Sequence, residues 1–358
     1  MTDLEKAREL ISAVDVEMAA LFEKRMQAAE LVAAYKKEHG LKIFDSAREA
    51  ALLERNCELI QNDTYRPYYV SFQQHTMDLS KSYQRRLLEG MQVAYSGVKG
   101  AFAEIAAGKI FPDAAALPYG DFAEAYKAVE NDACDVAILP IENSYNGDVG
   151  QVMDLAYFGS LHINGIYELE VTQNLLALPG TKAEDIKEVI SHPQALGQCA
   201  DYIRLHGWKE TKAVNTAVAV RTVAESGRKD LAAIGSAEAG ELYGLVKLEG
   251  HIEQSSGNTT RFAVFARSAK APTAKDNRFV MTFTVGNQAG ALGKAVSVIG
   301  AHGFNLAALK SRPTKNQNWD YYFFVEGEGN IYSPEGKAMV KELADCCSSV
   351  KVLGSFED

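Results

Sequence analysis

The sequence predicts a multidomain protein made of an all-α region, a two-lobed α/β region and a small α+β region. Residues 1–90 carry apolar side chains at three- and four-residue intervals and contain no strand-like segment. Between residues 91 and 269, apolar segments of strand length alternate with helical segments, which is typical of α/β architecture. Residues 276–358 follow a strand–helix–strand–strand–helix–strand order, which indicates a ferredoxin-like fold.

Composition and charge exclude several classes of protein. The 358-residue chain has a net charge of −10, which argues against nucleic-acid binding because phosphates need a basic face. We find no secretory signal and no apolar stretch long enough to span a bilayer. The five cysteines form no CxxC pair, which favours reduced thiols in a cytoplasmic enzyme. The seven histidines lack metal-site spacings, so we expect no metal.

The first helix is predicted to span residues 3–39 and to end at Gly40. At 1.5 Å per residue it would be ~55 Å long, which exceeds the diameter of a small domain. We therefore expect it to pack against a second chain.

Two further helices complete the all-α region. The second should begin at Asp45-Ser46, with Ser46 and Glu49 forming a capping box. A break at Tyr65-Arg66-Pro67 separates it from a third helix, which runs to about Gly90.

Arg25 occupies a position on the apolar stripe of the first helix, midway between Met18 and Val32. A buried, unpaired guanidinium is unfavourable, so an anion should meet it. That anion is either an acidic side chain of this chain or a ligand. Lys36 lies at nearly the same helical angle and ~16 Å along the axis, so both cations could bind one small dianion.

These cations belong to a longer pattern that resembles the helical, AroQ-type chorismate mutases. The matching residues are Arg8, Arg25, Lys36, Asp45, Arg48, Glu49, Ser80 and Gln84. The resemblance implies a cofactor-free rearrangement of chorismate to prephenate. It implies that the three arginines contact carboxylates, and that Lys36 and Gln84 donate to the ether oxygen. Glu49 would bind the ring hydroxyl, while Asp45 and Ser80 would position the substrate.

Arg8 is 17 residues from Arg25, which is ~25 Å along a straight helix and roughly 100° around it. Two side chains so placed cannot contact one small ligand from the same helix. If both contact chorismate, Arg8 comes from a partner chain. We therefore expect an intertwined homodimer or a higher homo-oligomer.

The α/β region should begin with a strand at residues 93–95 and a helix from Ala101. Further buried strands are predicted at 136–141, 189–190 and 231–234, each followed by a polar turn and a helix. We expect parallel sheets with a cleft between two lobes. Ligands of such sheets bind beyond the carboxyl ends of the strands.

Three polar clusters follow or begin strands in this region. They contain Glu142, Asn143 and Ser144, then Ser191, His192 and Gln198, and finally Thr260, Arg261 and Phe262. Each cluster alone is typical of a helix cap or a turn. Together they offer a hydroxyl, amides, a carboxylate and a guanidinium, which suits a small anionic substrate that loses a hydroxyl group.

The sequences PIENS at 140–144, SHPQALGQC at 191–199 and NTTRF at 258–262 resemble the signatures of prephenate dehydratase. The resemblance implies loss of CO₂ and water from prephenate to give phenylpyruvate, without metal or cofactor. It assigns Thr260 as the proton donor, Arg261 as a carboxylate contact and Phe262 as a neighbour of the ring. The remaining residues would bind the substrate or order its loops; they are Glu142, Asn143, Ser144, Ser191, His192 and Gln198.

In the last region, strands are predicted at 278–285, 306–310, 320–326 and 351–353, with helices at 291–300 and 334–347. Gly290-Ala291-Leu292 and Ser311-Arg312-Pro313 resemble the GAL and ESRP motifs of phenylalanine-sensing ACT domains. The resemblance implies that L-phenylalanine binds there as an effector. Lys310 replaces the usual Glu of the second motif. A purely structural role for both motifs remains an alternative.

We therefore expect a bifunctional enzyme of phenylalanine biosynthesis, with a mutase domain at 1–90, a dehydratase domain at 91–269 and an ACT domain at 276–358. Two alternatives stay open at this point. One is a monofunctional dehydratase whose helical region only dimerises. The other is a non-catalytic amino-acid sensor, since two α/β lobes also suit ligand binding.

Overall fold

The computed structural model describes residues 1–254, 257–314 and 320–358. Its contacts divide the chain into two compact units, Met1–Gln92 and Val93–Asp358. Among the described residues, every helix is too short or too polar to cross a membrane.

The first unit consists of three helices, as predicted, with bounds α1 Asp3–His39, α2 Ser46–Cys57 and α3 Arg66–Glu89. Thr2 caps α1 by accepting from the backbone N–H of Glu5, and Gly40 ends it in the left-handed conformation with φ of 63°. Along α1 only Ala29 and Ala33 are buried. The amino-terminal half of α1 therefore has no packing partner within this unit.

The start of α2 differs from the prediction. Asp45, rather than Ser46, is the N-cap, and its side chain accepts from Arg48 N at 3.1 Å. Glu49 does not form a capping box with Ser46, because its carboxylate pairs with Lys81 at 3.0 Å. Asp45 is one residue earlier and is itself a strong N-cap, so it takes the position.

The first lobe of the second unit is built around one sheet. The elements that precede the passage of the chain to the second lobe are β1 Gln92–Ser96, α4 Phe102–Ile110, β2 Ala115–Tyr119, α5 Phe122–Glu130, β3 Val136–Asn143, β4 Gly147–Asp148, α6 Gly150–Phe158 and β5 His162–Glu170.

The second lobe follows directly. It contains β6 Asn174–Ala177, a 3₁₀ turn at Ala183–Asp185, β7 Glu188–Ser191, α7 Pro193–Gln198, α8 Ala200–His206, β8 Lys209–Lys212, α9 Thr216–Ser226, β9 Leu231–Gly235, α10 Ala237–Leu242 and β10 Val246–Glu249. Its strand order is β10-β6-β9-β7-β8.

The chain then returns to the first lobe as β11, Thr259–Ala266, which inserts between β3 and β5. Strand β1 pairs with β3 in parallel, but β11 is antiparallel to both of its neighbours. In the second lobe β7 is parallel to β8 and β9, while β6 is antiparallel to β9 and β10. The predicted strands at 93–95 and 136–141, and those at 189–190 and 231–234, do pair in parallel. The sheets are nevertheless mixed, because β6 and β11, where the chain crosses between the lobes, run antiparallel to their neighbours.

The C-terminal region has the predicted order of elements. These are β12 Arg278–Thr284, α11 Ala291–Ala301, β13 Asn305–Pro313, β14 Tyr321–Glu328, α12 Pro334–Cys346 and β15 Ser349–Phe356. The antiparallel sheet has the order β13-β14-β12-β15, which is the ferredoxin-like arrangement.

The first lobe and the C-terminal region share one apolar core. Tyr126 and Phe265 of the lobe belong to the same buried cluster as Tyr322, Phe324 and Leu353. Removing residues 276–358 would therefore expose the interior of the first lobe, and the region is not a detachable appendage.

Candidate active sites

A cavity of about 350 Å³ lies between the two lobes of the second unit. The first lobe contributes Phe102, Pro140, Asn143, Asn146, Asp148, Thr260 and Phe262, among others. The second lobe contributes His192, Gln194, Gln198, Asn215 and Thr216, and Gln173 lies on the segment between the lobes. Members of all three predicted clusters therefore meet in one place.

Asn143 and Thr260 are direct partners across the cavity wall, where β3 ends and β11 begins. Asn143 Nδ2 donates to Thr260 Oγ1 at 2.9 Å and to Asn258 Oδ1 at 2.8 Å. Its Oδ1 accepts from the backbone N–H groups of Tyr145 and Asn146, so the amide is held from both ends. Because Thr260 Oγ1 accepts from Asn143, its own proton is free to point into the cavity.

A β-bulge in the pairing of β3 with β11 places both Pro140 and Asn143 of β3 on the cavity side. The pairing shifts between Arg261 and Phe262, where Phe262 faces Pro140 while Arg261 faces Glu142. Simple alternation would turn Pro140 and Asn143 to opposite faces of the strand, since they are three residues apart. The bulge lets both line the cavity.

The second-lobe wall is formed mainly by the first turns of two helices. His192 is the N-cap of α7, and its Nδ1 accepts from Gln194 N at 3.3 Å. Gln198 is buried at the other end of the same helix. Ser191, by contrast, is fully buried and donates to Ile234 O at 2.6 Å, so it joins β7 to β9 and does not line the cavity.

Arg261 lies on the face of β11 opposite to Thr260, and it does not line the cavity. Its guanidinium binds both carboxylate oxygens of Glu326 on β14, at 2.7 and 3.1 Å, and Glu142 at 3.1 Å. Ser144 also lies outside the cavity and bonds to Thr259 N at 2.9 Å. The structure therefore places Arg261, Glu142 and Ser144 outside the cavity lining, with protein groups as their partners.

Lys310 extends this charge network to the edge of the cavity. Its Nζ lies 2.9 Å from Glu142 and 2.5 Å from Asp148, and Asp148 lines the cavity. Burial alone would raise the pKa of Glu142, but hydrogen bonds from Lys310 and Arg261 bring it below its usual value. Burial would lower the pKa of Lys310, but Asp148 and Glu142 raise it. The network therefore stays charged and ties β13 and β14 to the loop beside Asn143.

The cavity lacks the cations that a dianionic substrate would suggest. Of the described residues that line it, none is Lys or Arg, and the charge of Asp148 is balanced by Lys310. The helices α4, α6 and α9 all begin at its wall. Neither α4 nor α6 has a side-chain cap, so their first N–H groups are available to an anion.

In the helical unit, Arg25 reaches from α1 to α3. It donates to Thr76 O at 2.9 Å and makes a short hydrogen bond to Ser80 Oγ. Burial lowers the pKa of Arg25. Nearby on α3, Gln84 is buried, and within the described part of the chain its Oε1 has no partner. Arg25 therefore bonds to neutral oxygens, and the intramolecular ion pair considered as an alternative is not its arrangement here.

Of the other predicted mutase residues, one group lies together around Lys36 and contains Asp45, Arg48 and Glu49. Lys36 donates to Ile43 O, and its pKa is lowered by burial and by the nearby charge of Arg48. Asp45 caps α2 and Glu49 pairs with Lys81. Arg8 lies apart from all of these, on the exposed amino-terminal half of α1.

The two predicted effector motifs share one face of the C-terminal sheet, except that Arg312 lies on the opposite face. Gly290, with φ of 83°, precedes α11, and Leu292 lines a cavity of about 170 Å³ together with Phe323. Ser311 pairs with Phe323 across β13 and β14. Arg312 faces the other way and binds Asp154 of α6 through two hydrogen bonds, at 2.8 and 3.0 Å. Arg312 therefore joins the C-terminal region to the first lobe.

Two family models match this chain, one described as prephenate dehydratase over residues 93–270 and one described as chorismate mutase type II over residues 7–85. The bifunctional chorismate mutase/prephenate dehydratase of Enterobacter agglomerans is 32% identical over 98% of this chain and 94% of its own length. The chain belongs to this bifunctional family. It is an enzyme of phenylalanine biosynthesis that combines a mutase with a dehydratase, which favours this interpretation over both alternatives raised by the sequence.

Two other proteins bear on the dehydratase part. An Arabidopsis thaliana relative, described as arogenate dehydratase/prephenate dehydratase 1, is 34% identical and covers 74% of this chain and 72% of its own length. A solved prephenate dehydratase from Arthrobacter aurescens in complex with L-Phe has a TM-score of 0.69 at 25% identity, covering 75% of this chain and 90% of that one.

Sequence reasoning missed several residues of this bifunctional enzyme. Asn215 is the N-cap of α9 and lines the cavity between the two lobes, and Asn-Thr after a short strand could have indicated it. Lys81 pairs with Glu49 and lies over the ring of Phe44, but a lone lysine on a helix carries no signal. Gln173 lies in the connection between the lobes, and no sequence pattern indicates that it lines the cavity.

Proposed function

We propose that Thr260 protonates the leaving hydroxyl of prephenate. Asn143 positions the Thr260 hydroxyl and makes it a stronger acid. The observation that carries this proposal is the 2.9 Å hydrogen bond from Asn143 Nδ2 to Thr260 Oγ1 inside the cavity. As the bond to CO₂ breaks, its electron pair enters the ring, and the ring hydroxyl departs with the proton from Thr260 as water. A threonine is a weak acid, and the amide donor stabilises the negative charge that develops on Oγ1.

The carboxylates of prephenate would be bound by helix N-termini rather than by arginine. Support for this comes from the absence of Lys and Arg among the described lining residues and from α7 and α9 of the second lobe, whose first turns lie at the cavity wall. Partial positive charge at a helix N-terminus is worth up to about 2 kcal/mol in a partly buried site. Arg261 would then fix the positions of β3 and β14 relative to β11, through its ion pairs with Glu142 and Glu326.

The mutase site would be completed only in a homodimer. Arg25, Lys36, Ser80 and Gln84 supply one half of the site, with Arg48, Asp45 and Glu49 on α2. The amino-terminal half of α1 exposes apolar side chains that would be unfavourable in water; they are Leu4, Leu10, Ile11, Val14, Met18, Leu21 and Phe22. Packing this half against a second chain would bury them and would bring Arg8 of that chain to the site.

The combined activity can be tested by supplying chorismate alone to the purified full chain. We expect loss of chorismate and formation of phenylpyruvate with no added nucleotide or metal. Accumulation of prephenate without phenylpyruvate would contradict the dehydratase assignment. Conversion of supplied prephenate with no loss of chorismate would contradict the mutase assignment. The five cysteines are free, which suits action in the cytoplasm.

The ferredoxin-like region would be an ACT domain that binds L-phenylalanine and lowers dehydratase activity. Support comes from the cavity at the start of α11 and from the L-Phe complex of the Arthrobacter relative. Lys310, Arg312 and Glu326 all reach from this region to the walls of the dehydratase cavity or to α6. A shift of β13 or β14 on binding would therefore act on the loop next to Asn143.

Inhibition by phenylalanine should depend on Leu292. Replacing it by Asn removes apolar contact in the small cavity, and we expect at least about a tenfold rise in the half-inhibitory concentration. The measurement is prephenate turnover against phenylalanine concentration in the full chain. Lys294→Asn, an exposed position on the same helix, is the matched control. Equal inhibition of both variants would contradict the site. Deleting residues 276–358 is a poorer test because of the shared core.

We also infer that the cavity admits arogenate, which carries an amino group in place of the keto group of prephenate. The Arabidopsis relative is described as acting on both compounds. Support from this chain lies in a pair of buried amides in the cavity wall, Gln173 and Gln198, which together offer a free donor and a free acceptor.

A further inference from the structure

Gln173 and Gln198 form a buried amide pair in the wall of the dehydratase cavity. Gln173 is 2% exposed and Gln198 is 4% exposed, and both line the cavity. Gln173 Nε2 donates to Gln198 Oε1 at 3.2 Å. Within the described residues, Gln173 Oε1 and Gln198 Nε2 have no hydrogen-bond partner. Two residues that line the cavity therefore keep one acceptor and one donor that the described protein groups do not satisfy.

Such unpaired groups are unusual in a folded protein. Leaving a buried polar atom without a partner costs about 1–3 kcal/mol, so native structures contain few of them. Turning both amides over keeps the bond between the glutamines and exchanges which one offers the donor. In either orientation the pair presents one donor and one acceptor.

The backbone fixes Gln173 in this position. Its N–H donates to Glu253 Oε2 at 3.0 Å, and its carbonyl accepts from Ile252 N at 3.0 Å. The next residue, Asn174, donates from its side chain to Gly235 O at 3.0 Å. Gln173 therefore lies at the crossover from β5 to β6 with little freedom to move away from the cavity.

The chemistry of prephenate indicates which group meets the pair. Its ring carries the hydroxyl and the quaternary carbon at opposite ends. If Thr260 of the first lobe serves the hydroxyl, as proposed above, then the quaternary carbon lies towards Gln198 and the second lobe. That carbon bears the ring carboxylate and the three-carbon side chain, whose keto group is an amino group in arogenate.

We propose that Gln173 is a specificity-determining residue that contacts the side chain of the substrate. With the amide N–H turned to the substrate, the pair donates to a keto oxygen. With the carbonyl turned to the substrate, it accepts from an ammonium group. One buried pair thus serves both compounds without a charged residue.

The test compares Gln173→Glu and Gln173→Met in the full chain, using prephenate and arogenate as substrates. A glutamate repels the keto acid and attracts the ammonium group. We expect kcat/KM for prephenate to fall about 100-fold and that for arogenate by at most about tenfold, so their ratio shifts at least about tenfold towards arogenate. Methionine keeps the length and removes both polar atoms, so kcat/KM for both substrates should fall about tenfold.

Gln61→Glu, at an exposed position between α2 and α3, is the control and should change neither value. An unchanged arogenate-to-prephenate ratio in Gln173→Glu, at unaltered melting temperature, would overturn the proposal. If that variant does not fold, wild-type kcat/KM in Gln173→Met would overturn it instead. This result can be separated from the role of Thr260. A normal dehydration rate in Thr260→Val, together with a shifted arogenate-to-prephenate ratio of kcat/KM in Gln173→Glu, would refute the role of Thr260 and leave that of Gln173.

Discussion

Replacing Thr260 by valine should lower kcat for prephenate dehydration by about 10³-fold, while KM changes little. Valine has nearly the shape of threonine, so the cavity keeps its volume and only the hydroxyl is lost. General acid catalysis typically contributes 10²–10⁴-fold, and the Thr260 hydroxyl is held by the Asn143 amide 2.9 Å away. The measurement is formation of phenylpyruvate from supplied prephenate.

The neighbouring residue provides a matched control. Thr259 is on the same strand, faces the side opposite to Thr260 and does not line the cavity. Thr259→Val should therefore retain near wild-type dehydratase activity. Mutase activity should survive in both variants, which shows that the chain is folded. A rate for Thr260→Val within about threefold of the Thr259→Val rate would exclude Thr260 as the proton donor.

The fold was predictable wherever local pattern decides structure. The apolar period of α1 and the glycine at its end gave its bounds, and the order of elements in residues 276–358 gave the ferredoxin-like arrangement. The insertion of β11 between β3 and β5 was not predictable in this way. Its partners are more than 80 residues distant along the chain, and no local signal distinguishes a parallel from an antiparallel neighbour.

The site was predictable in part. The clusters around Asn143, Gln198 and Thr260 do meet in one cavity, but Arg261 turns away from it. Alternation along β11 could have indicated this, since Thr260 and Phe262 cannot share a face with the residue between them. The bulge opposite Phe262 could not have been read from sequence, and it decides which residues of β3 reach the cavity.

Lys310 shows why a substituted motif residue needs its three-dimensional neighbours. Read alone, lysine in place of the usual glutamate of the second ACT-like motif is a charge reversal beside an effector site. In the fold it faces the first lobe, where Glu142 and Asp148 lie within ion-pair distance. A glutamate at that position would add a third carboxylate beside Glu142 and Asp148, while Arg261 already pairs with Glu142 and Glu326. The lysine is therefore matched to the acidic residues of the dehydratase loop.

The largest effect in the helical unit is expected from Arg8 and Arg25. Each alanine variant alone should lose at least about 100-fold in mutase activity, because each removes a charged contact to a substrate carboxylate. Arg25 lies where α1 packs on α3, while Arg8 is on the exposed half of an unbroken helix, ~25 Å away along its axis. One small substrate cannot reach both within one chain.

Mixing the two inactive variants should therefore restore activity. Co-refolding equal amounts makes about half of the dimers mixed, and each mixed dimer has one site with both arginines and one with neither. About one site in four should recover, measured as chorismate loss, with different tags on the two variants to demonstrate mixed dimers. Dehydratase activity should stay near wild type throughout and serves as the control for folding. If mixed dimers form and mutase activity stays at the level of the single variants, the site lies within one chain, and the exposed half of α1 serves some other contact.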